Sequence, residues 1–559
     1  MHAFSVSLLI AMSFYLCSSA YADSGHKAKL DSVVTTGTLQ VYVVEGLDGT
    51  APRYEYFLDT GDEEIELVNF ADSSATTGDQ LRVVGSNVGD AISVTRTESI
   101  SQAAGRSLGT PLTGARKVAV VMVNFQNHAL TNQQVTNLRK AMYEYIDYPY
   151  SWNGDYQTST EASVKASLER YSFGQLSINS DTDADGEYDI FGPYDTNEIR
   201  DDCSYNTWDN AGFAAATADG VDMSVYEHRI YVTPSHFCNF RGRGLLNCGD
   251  NCTAWASAQT IDGNVHTITH ELGHNFGLYH TGADLDDNPS TWTNDEAIAD
   301  RFTLMSVGSH PGGDDVIALQ RDTLGWFDAV PGAKQTISST GTYVINDLGE
   351  LASDPITLRL DALVPPSSTA TREFYISYRR STIDQYGTKP GFFDANPEIA
   401  DTVRVHECRN NACTISELRA QLGAGESYLE DQSQWNAVPL FIQASDFATG
   451  AQTASVDVYV GDTDQDGIND YEDNCYLVPN ANQADADCDG YGNMCDADLN
   501  NDNVVNVIDM GILLSNMSSS DPVSDLNSDG IVDSADQAIL SSMFFKAPGP
   551  SGPTAQCSP

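Results

Sequence analysis

The sequence predicts a multidomain α+β protein. A β-rich N-terminal domain comes first, then a mixed-sheet domain around one polar helix, a second β-rich domain and a small helical C-terminal module with acidic loops. Three observations carry this. The chain has 559 residues, and single hydrophobic cores stop growing at roughly 250–300 residues. Its patterning changes along the chain, from period-two alternation to mixed strand and helix periods and back to strands. After Gly461 the composition turns to Asp, Asn and Gly.

Residues 1–22 hold an apolar run from Phe4 to Cys17 followed by Ala20-Tyr21-Ala22. This is the pattern of a signal peptide with Asp23 as the first mature residue, and it predicts a secreted, extracellular protein. The n-region has no Lys or Arg. No later segment is apolar for about 18 residues, so no membrane span is expected. Residues 23–114 alternate apolar and polar positions between Gly- and Asp-rich turns, as in Thr38-Leu39-Gln40-Val41-Tyr42-Val43-Val44. They read as a small β domain and a candidate prodomain that ends in a polar linker, Ser99 to Gly114. The next domain, 115–335, contains a buried strand at Lys117–Phe125, a helix at Val164–Tyr171, strands at Leu176–Ile178 and Arg229–Thr233, and a helix at Val265–Leu278. Residues 336–460 are β-rich, with Phe374–Tyr378 the clearest strand. Residues 461–497 and 498–547 are acidic modules, and 548–559 is a tail.

There are 79 acidic and 28 basic residues, a net charge of −51. Such a surface repels nucleic acid and anionic membranes, so neither is expected as a partner. Of eleven Cys, ten follow residue 22, an even number that reads as disulfides in an exported protein. Cys408 and Cys413 are close enough for a local bridge; other connectivities stay open. Cys248 and Cys252 also have the spacing of half a metal site, but no second pair matches it.

The most informative string is His270-Glu271-Leu272-Gly273-His274-Asn275-Phe276-Gly277-Leu278-Tyr279-His280. Residues four apart share one face of a helix, so His270 and His274 can bind one Zn²⁺. Gly277 permits a turn that brings His280 back as a third ligand. Three protein ligands leave a position open for water, which marks a catalytic site. Glu271 follows the first ligand and is the candidate general base.

This extended pattern resembles the metzincin signature, which is followed by a methionine turn. Met305, within Thr303-Leu304-Met305-Ser306-Val307-Gly308, stands where that turn is expected. Val307 stands two residues beyond Met305, so a tyrosine ligand is not available there. Among metzincins the chain resembles gametolysin-type peptidases. The residues that carry this are Tyr171-Ser172-Phe173-Gly174-Gln175-Leu176, the histidine motif, Leu324-Gly325-Trp326 and the strand ending Tyr378-Arg379. The resemblance spans roughly 115 to 460. It implies a metzincin-type catalytic domain over 115–335, with a mixed sheet and a zinc-binding helix, one catalytic Zn²⁺, and Met305 as an apolar floor under the histidines. It also implies a zinc metalloendopeptidase acting on an extracellular protein or glycoprotein substrate. No Cys lies between Asp23 and Cys203, so if the N-terminal domain inhibits, it does so through an acid, a backbone group or steric cover. Arg116-Lys117 is a candidate processing point.

Two 12-residue loops follow residue 497. One places oxygen donors at Asp498, Asn500, Asp502, Asn506 and Asp509, with the carbonyl of Val504. The other places them at Asp525, Asn527, Asp529, Asp533 and Asp536, with the carbonyl of Ile531. That is the ligand spacing of Ca²⁺ loops, so two or more Ca²⁺ are expected. Each loop precedes an apolar helix, Met510–Met517 and Gln537–Phe545, and the pair resembles a type I dockerin. The resemblance implies a cohesin-like partner. Upstream, Asp462, Asp464 and Asp466, then Asp485, Asp487 and Asp489, resemble thrombospondin type 3 repeats, with Cys488 as an extra residue. Asp181-x-Asp183-x-Asp185-Gly186 repeats the spacing inside 115–335. A rival reading is an adhesion or scaffold protein of a polysaccharide- or matrix-degrading complex whose peptidase-like domain is non-catalytic.

Overall fold

The computed structural model describes residues 32–557 apart from 47–51, 73–74, 103–110, 145, 153–154, 162, 201–202, 204, 235–237, 239, 259–265, 284–302, 307–315, 350–354, 362–371, 381–400, 409–412, 414–415, 431–438 and 446. The expected signal peptide and residues 103–110, half of the expected linker, lie outside the described residues. The structure is mixed α and β, mostly sheet, and multidomain.

The N-terminal strands are β1 (Ser32–Gly46), β2 (Arg53–Asp59), β3 (Glu64–Val68), β4 (Gln80–Val88) and β5 (Ala91–Ser101). They run β1-β2-β3-β5-β4, and β4 returns to pair with the first half of β1, from Ser32↔Ser86 to Thr38↔Gln80. The sheet thereby closes on itself. Alternate residues Leu39, Val41 and Val43 of β1 fill its interior with Leu58, Leu81 and Val83, as the period of two requires.

The central layer uses β6 (Val118–Asn124), β7 (Ile190–Asp195), β8 (His228–Thr233), β9 (Phe240–Leu245) and β10 (Cys252–Ser257). Their order is β7-β6-β8-β10-β9; the first four are parallel and β9 is antiparallel. Helices α1 (Asn132–Tyr143), α2 (Val164–Tyr171) and α3 (Tyr205–Ala218) accompany them, with α4 (His266–Asn275) against β9 and β10. Every residue of β6 is buried, as expected of a parallel strand covered on both faces. Val118, Val120 and Met122 pack with Ile268, Leu272 and Phe276 from the α4 segment. Ala119, Val121 and Val123 pack on the other side with Trp208 and Ala216 of α3.

The expected division near residue 114 does not separate two sheets. The second half of β1 pairs antiparallel with β9, giving one ten-stranded sheet. Two cores cross the junction. Val44 lies in the cluster with Trp208 and Trp255, and Leu246 lies in the cluster of the N-terminal strands. Arg243 of β9 is fully buried, stacked 3.5 Å over the Tyr42 ring, with its Nε 3.2 Å from Glu55. A long apolar edge is a costly thing to leave open, and β1 covers it.

The division near 335 is also shared. The sheet of 336–460 runs β11 (Thr281–Ala283), β16 (Ser416–Leu422), β15 (Thr402–Cys408), β14 (Glu373–Arg379), β13 (Thr357–Asp361) and β12 (Lys334–Ile337). Its first strand follows His280 directly. A four-stranded sheet packs on it through Ile345, Leu440, Ile442, Val456 and Val458. A short helix, α5 (Ala318–Thr323), lies against β14 and β15.

At the C-terminus α6 (Val507–Ser515) and α7 (Ser534–Met543) enclose a small core of Val505, Leu513, Leu526, Val532, Leu540 and Met543. Both helices begin three residues earlier than the apolar runs indicate. Asn506 and Asp533 are N-caps, and Asp509 and Asp536 close capping boxes from the third helical position. The disulfides are Cys203–Cys238, Cys248–Cys252, Cys408–Cys413, Cys475–Cys495 and Cys488–Cys557. The Cys408–Cys413 bridge is the expected local one. Cys248 and Cys252 belong to a disulfide and not to a metal site. The tail, 548–559, is tied back through the Cys488–Cys557 bridge. Among the described residues, no helix is long and apolar enough to cross a membrane.

Candidate metal centre

Helix α4 supplies two of the three histidines. It ends at Asn275, short of the expected Leu278, because Gly277 takes a left-handed backbone at φ +96°. The Leu278 amide then closes onto the Gly273 carbonyl at 2.9 Å, a common helix ending that needs glycine at the turn. Reversed in this way, the chain delivers His280 to the face that carries His270 and His274.

The three imidazoles are buried and converge. His270 Nε2 lies 3.2 Å from His280 Nε2. His270 Nδ1 donates to the Leu304 carbonyl at 2.7 Å, and His274 Nδ1 donates to the Leu278 carbonyl at 2.8 Å. These bonds fix the tautomer so that each Nε2 carries the lone pair a metal needs, the usual way a protein orients metal-binding imidazoles. The His274 Nε2 and His280 Nδ1 have no hydrogen-bond partner among the described residues. Burial, with the His280 and His270 imidazoles beside it, pushes His274 down to about 3. It is therefore neutral, the ligating form.

Glu45 of β1 completes the cluster. Its Oε1 is 2.5 Å from His280 Nε2, 3.2 Å from His270 Nε2 and 3.5 Å from His274 Nε2. One ligand atom from each of the four residues lies within 4.8 Å of the others. Burial alone would raise this carboxyl, but the imidazoles of His280 and His270 hold it well below the usual carboxylate range. Three imidazoles, two of them orientated by backbone carbonyls, and one carboxylate, all buried, form the donor set of a tetrahedral zinc site. The residues present therefore fit zinc.

Glu271 is fully buried on the adjoining face, and neither of its carboxylate oxygens has a hydrogen-bond partner among the described residues. Burial, then repulsion from Glu45, raises it well above the usual range. Space for it comes from β9. A Cβ added at Gly242 would overlap Glu271 Oε1, and one at Gly244 would lie 2.8 Å from its Oε2. Asn275 locks the helix to the sheet, donating to the carbonyls of Leu245 at 2.7 Å and Thr253 at 3.2 Å. Met305 is fully buried below the helix, where a Cβ at Gly273 would lie 2.6 Å from its Sδ. Val307, two residues on, lies outside the described residues.

The structure thus brings together His270, Glu271, His274, His280 and Met305. Sequence reasoning missed Glu45, 225 residues from His270, and also Gly242, Gly244 and Asn275. A single acid in an alternating strand carries no local signal. Glycines two apart in the Arg241-Gly242-Arg243-Gly244 string of a strand do mark close backbone approach.

The acidic loops share one geometry. Asp462, Asp464 and Asp466 present ligand atoms within 4.8 Å of one another, as do Asp485, Asp487 and Asp489, and also Asp181, Asp183 and Asp185. In each of the two loops that precede α6 and α7 the first aspartate accepts from the fifth-position amide, Asp502 to Asp498 and Asp529 to Asp525, both at 3.1 Å. Asn503 adopts the left-handed turn, φ +68°, that Gly530 adopts at +95°. Asn506 and Asp533 use their side-chain oxygens as helix caps. The Arg116-Lys117 pair is held in place: Arg116 ends the strand Gly114–Arg116, paired with Leu176–Ile178, and the Lys117 amide donates to Glu227 at 3.0 Å.

The profile of the gametolysin peptidase M11 family matches residues 156–414. This stretch contains all three histidines and Glu271, and the match supports a metallopeptidase. No curated protein matches the chain. Among solved structures, metalloproteinase-II from Bacteroides fragilis is similar over 49% of this chain and 82% of its own, at 12% identity and a TM-score of 0.21. At that score the likeness carries no weight for the fold.

Proposed function

We propose that this metallopeptidase is a secreted zinc endopeptidase of the metzincin type, cutting extracellular proteins, with His270, His274 and His280 as ligands and Glu271 as general base. The observation that carries the reading is the convergence of three buried imidazoles beside a buried carboxylate, Glu271, whose oxygens have no hydrogen-bond partner among the described residues. Zinc, when bound, polarises a carbonyl and makes water acidic, with a pKa near about 7. The chain's own residues do the rest. Glu271 takes the proton of the attacking water on its carboxylate and passes it to the departing amine. Its burial supports that role, since a carboxyl with a raised pKa can hold the proton between the two steps. Gly242 and Gly244 keep β9 low enough for the carboxylate to stand between strand and metal. Met305 supports the helix from beneath.

Residues 461–547 act, in this reading, as Ca²⁺-binding modules, and the dockerin-like pair of loops offers attachment to a cohesin-like partner. Support comes from the repeated loop geometry and from the exposed apolar residues Val507, Ile508 and Phe545 on or beside the two helices.

Measuring zinc content and peptide-library cleavage for Glu271→Gln and His274→Ala tests the site. The first should keep zinc and lose turnover; the second should lose both. Wild-type turnover by Glu271→Gln would end the proposal.

A further inference from the structure

The central sheet carries a second concave site on its other face. Helix α4 and the histidines pack on one side of β6, and α3 packs on the opposite side. There a cavity of about 460 Å³ opens between α3, β8 and the turn that joins β2 to β3. That is the size of a small-molecule site. None of its lining residues belongs to the metal centre.

Its charge is one-sided. The turn is tight: the Gly61 amide donates to Asp59 Oδ1 at 2.8 Å, and the Thr60 amide donates to the Glu63 carbonyl at 3.0 Å. This brings Asp59, Asp62, Glu63 and Glu64 to the cavity, and α3 adds Asp209. One cation, Arg229, lines it with these five carboxylates. That guanidinium is already engaged, donating to Asn251 Oδ1 at 2.6 Å and lying over the Phe213 ring. Arg243, buried beneath, is shared with Glu55 and the Tyr42 ring. Burial pushes Asp209 up to about 7 even with Arg243 beside it, and burial raises Glu64 as well. Both carboxylates therefore have less positive charge near them than their burial calls for.

Two polar atoms on the cavity wall are unsatisfied. Asp209 Oδ1 and Thr253 Oγ1 are buried and have no hydrogen-bond partner among the described residues, and Thr253 is only 9% exposed. Buried polar atoms of this kind call for a donor. A metal ion is a poor match. Among the described residues, the acids whose ligand atoms converge within 4.8 Å of one another lie elsewhere. The rings of Tyr42, Phe213 and Tyr231 also line the cavity. Acids and rings together suit a charged head on an alkyl stem.

We propose that this cavity binds an organic cation, a primary ammonium or guanidinium on an aliphatic stem, with Asp209, Glu64 and Thr253 as its polar contacts. The cation is a basic side chain of another protein or a free polyamine. The site goes beyond the peptidase reading and does not depend on it.

The test titrates the full chain by calorimetry, with Ca²⁺ present as competitor for the acidic C-terminal loops. The probes are N-acetyl-lysine methylamide, N-acetyl-arginine methylamide and cadaverine, with N-acetyl-norleucine methylamide as the uncharged control. The cations should fill one saturable site per chain and the control none. Asp209→Asn and Glu64→Gln should each weaken binding by about tenfold or more, the loss of a charged hydrogen bond. Should Asp209→Asn fail to fold, Glu64→Gln carries the test. Asp90→Asn removes the same charge from a turn that does not line the cavity, and should leave the affinity unchanged. Tighter binding of cadaverine would identify a free polyamine as the occupant, and tighter binding of the blocked amino acids a basic side chain; either order supports the site. No saturable heat with any cation would overturn the proposal. So would equal binding of the norleucine compound, or equal weakening by Asp90→Asn, which would leave only general attraction to a chain of net charge −51.

Discussion

Gly242→Ala separates structure from chemistry at this site. The added methyl would overlap Glu271 Oε1 and lie 2.6 Å from Cδ and 3.0 Å from Cγ. Non-bonded carbon and oxygen atoms settle at about 3.5 Å, so the carboxylate must move by roughly 1 Å or more. What moves is the end of a side chain, and the backbone of Gly242 has no left-handed conformation that alanine would resist. The fold should absorb the change for about 1 kcal/mol, the cost of a strained rotamer. The imidazoles are not displaced, so zinc should remain stoichiometric. Catalysis is less forgiving, because a misplacement of about 1 Å costs on the order of 100-fold in rate. The assay compares kcat on a peptide substrate for variant and parent chains, with zinc content and thermal midpoint measured beside it. The expected result is a loss near 100-fold at unchanged zinc. A variant that keeps more than half its turnover would show that Glu271 does not work from where the structure puts it. A variant that loses zinc in parallel would show that the methyl acts on the ligands instead.

Other expectations follow from the same geometry. Asn275→Ala removes two hydrogen bonds from a buried amide to the carbonyls of Leu245 and Thr253. It should cost about 1–3 kcal/mol by thermal unfolding, because two buried acceptors lose their donor. Leu540→Ala, in the small C-terminal core, should cost about 2–5 kcal/mol, lowering the melting point of that module without changing peptide cleavage. The fragment 461–559 should gain helix on adding Ca²⁺, visible by circular dichroism, and Asp498→Ala with Asp525→Ala should abolish the gain; equal helix in excess EDTA would refute the calcium assignment. Without Ca²⁺ the same fragment should be less stable at pH 8 than at pH 5. Burial and neighbouring carboxylates raise Asp464 to about 6 and Asp496 to about 7. Folded pKa values above the unfolded one give stability that is present below about pH 4 and lost as pH rises through 6 and 7. A melting point in EDTA that rises with pH would contradict this.

The histidine motif was legible because its parts are local. Helical spacing places His270 and His274, and one glycine turn returns His280, so eleven consecutive residues define half the site. β6 was equally legible, as a run of Val between polar flanks. What could not be read is what the tertiary fold assembles from afar. Glu45 sits in a strand whose alternation is that of any β domain, and only the pairing of β1 with β9 gives it a role. The same pairing explains why a boundary near 114 looked like a domain boundary: the composition changes there, but the sheet does not stop. Helix α3 escaped notice because its sequence, Tyr205–Ala218, is rich in alanine with no sharp apolar stripe. The starts of α6 and α7 were misjudged by three residues because caps, not apolar periodicity, begin a helix. The pairing of Cys488 with Cys557 needed coordinates, since ten cysteines leave many connectivities.

The strand that follows His280 has a further consequence, for synthesis. Thr281–Ala283 pairs with Ser416–Leu422, and Ser416 donates to the His280 carbonyl at 3.4 Å across 136 positions of sequence. The α4 histidines leave the ribosome early, but the segment that pins the third one arrives much later. At about 5–20 residues per second that interval is roughly seven to thirty seconds. Throughout it the nascent chain holds two imidazoles on a helix and a third without its supporting strand. The metal site cannot reach its final geometry on a partly made chain, so a truncated product released before residue 416 should bind zinc poorly, whatever the state of its N-terminal strands.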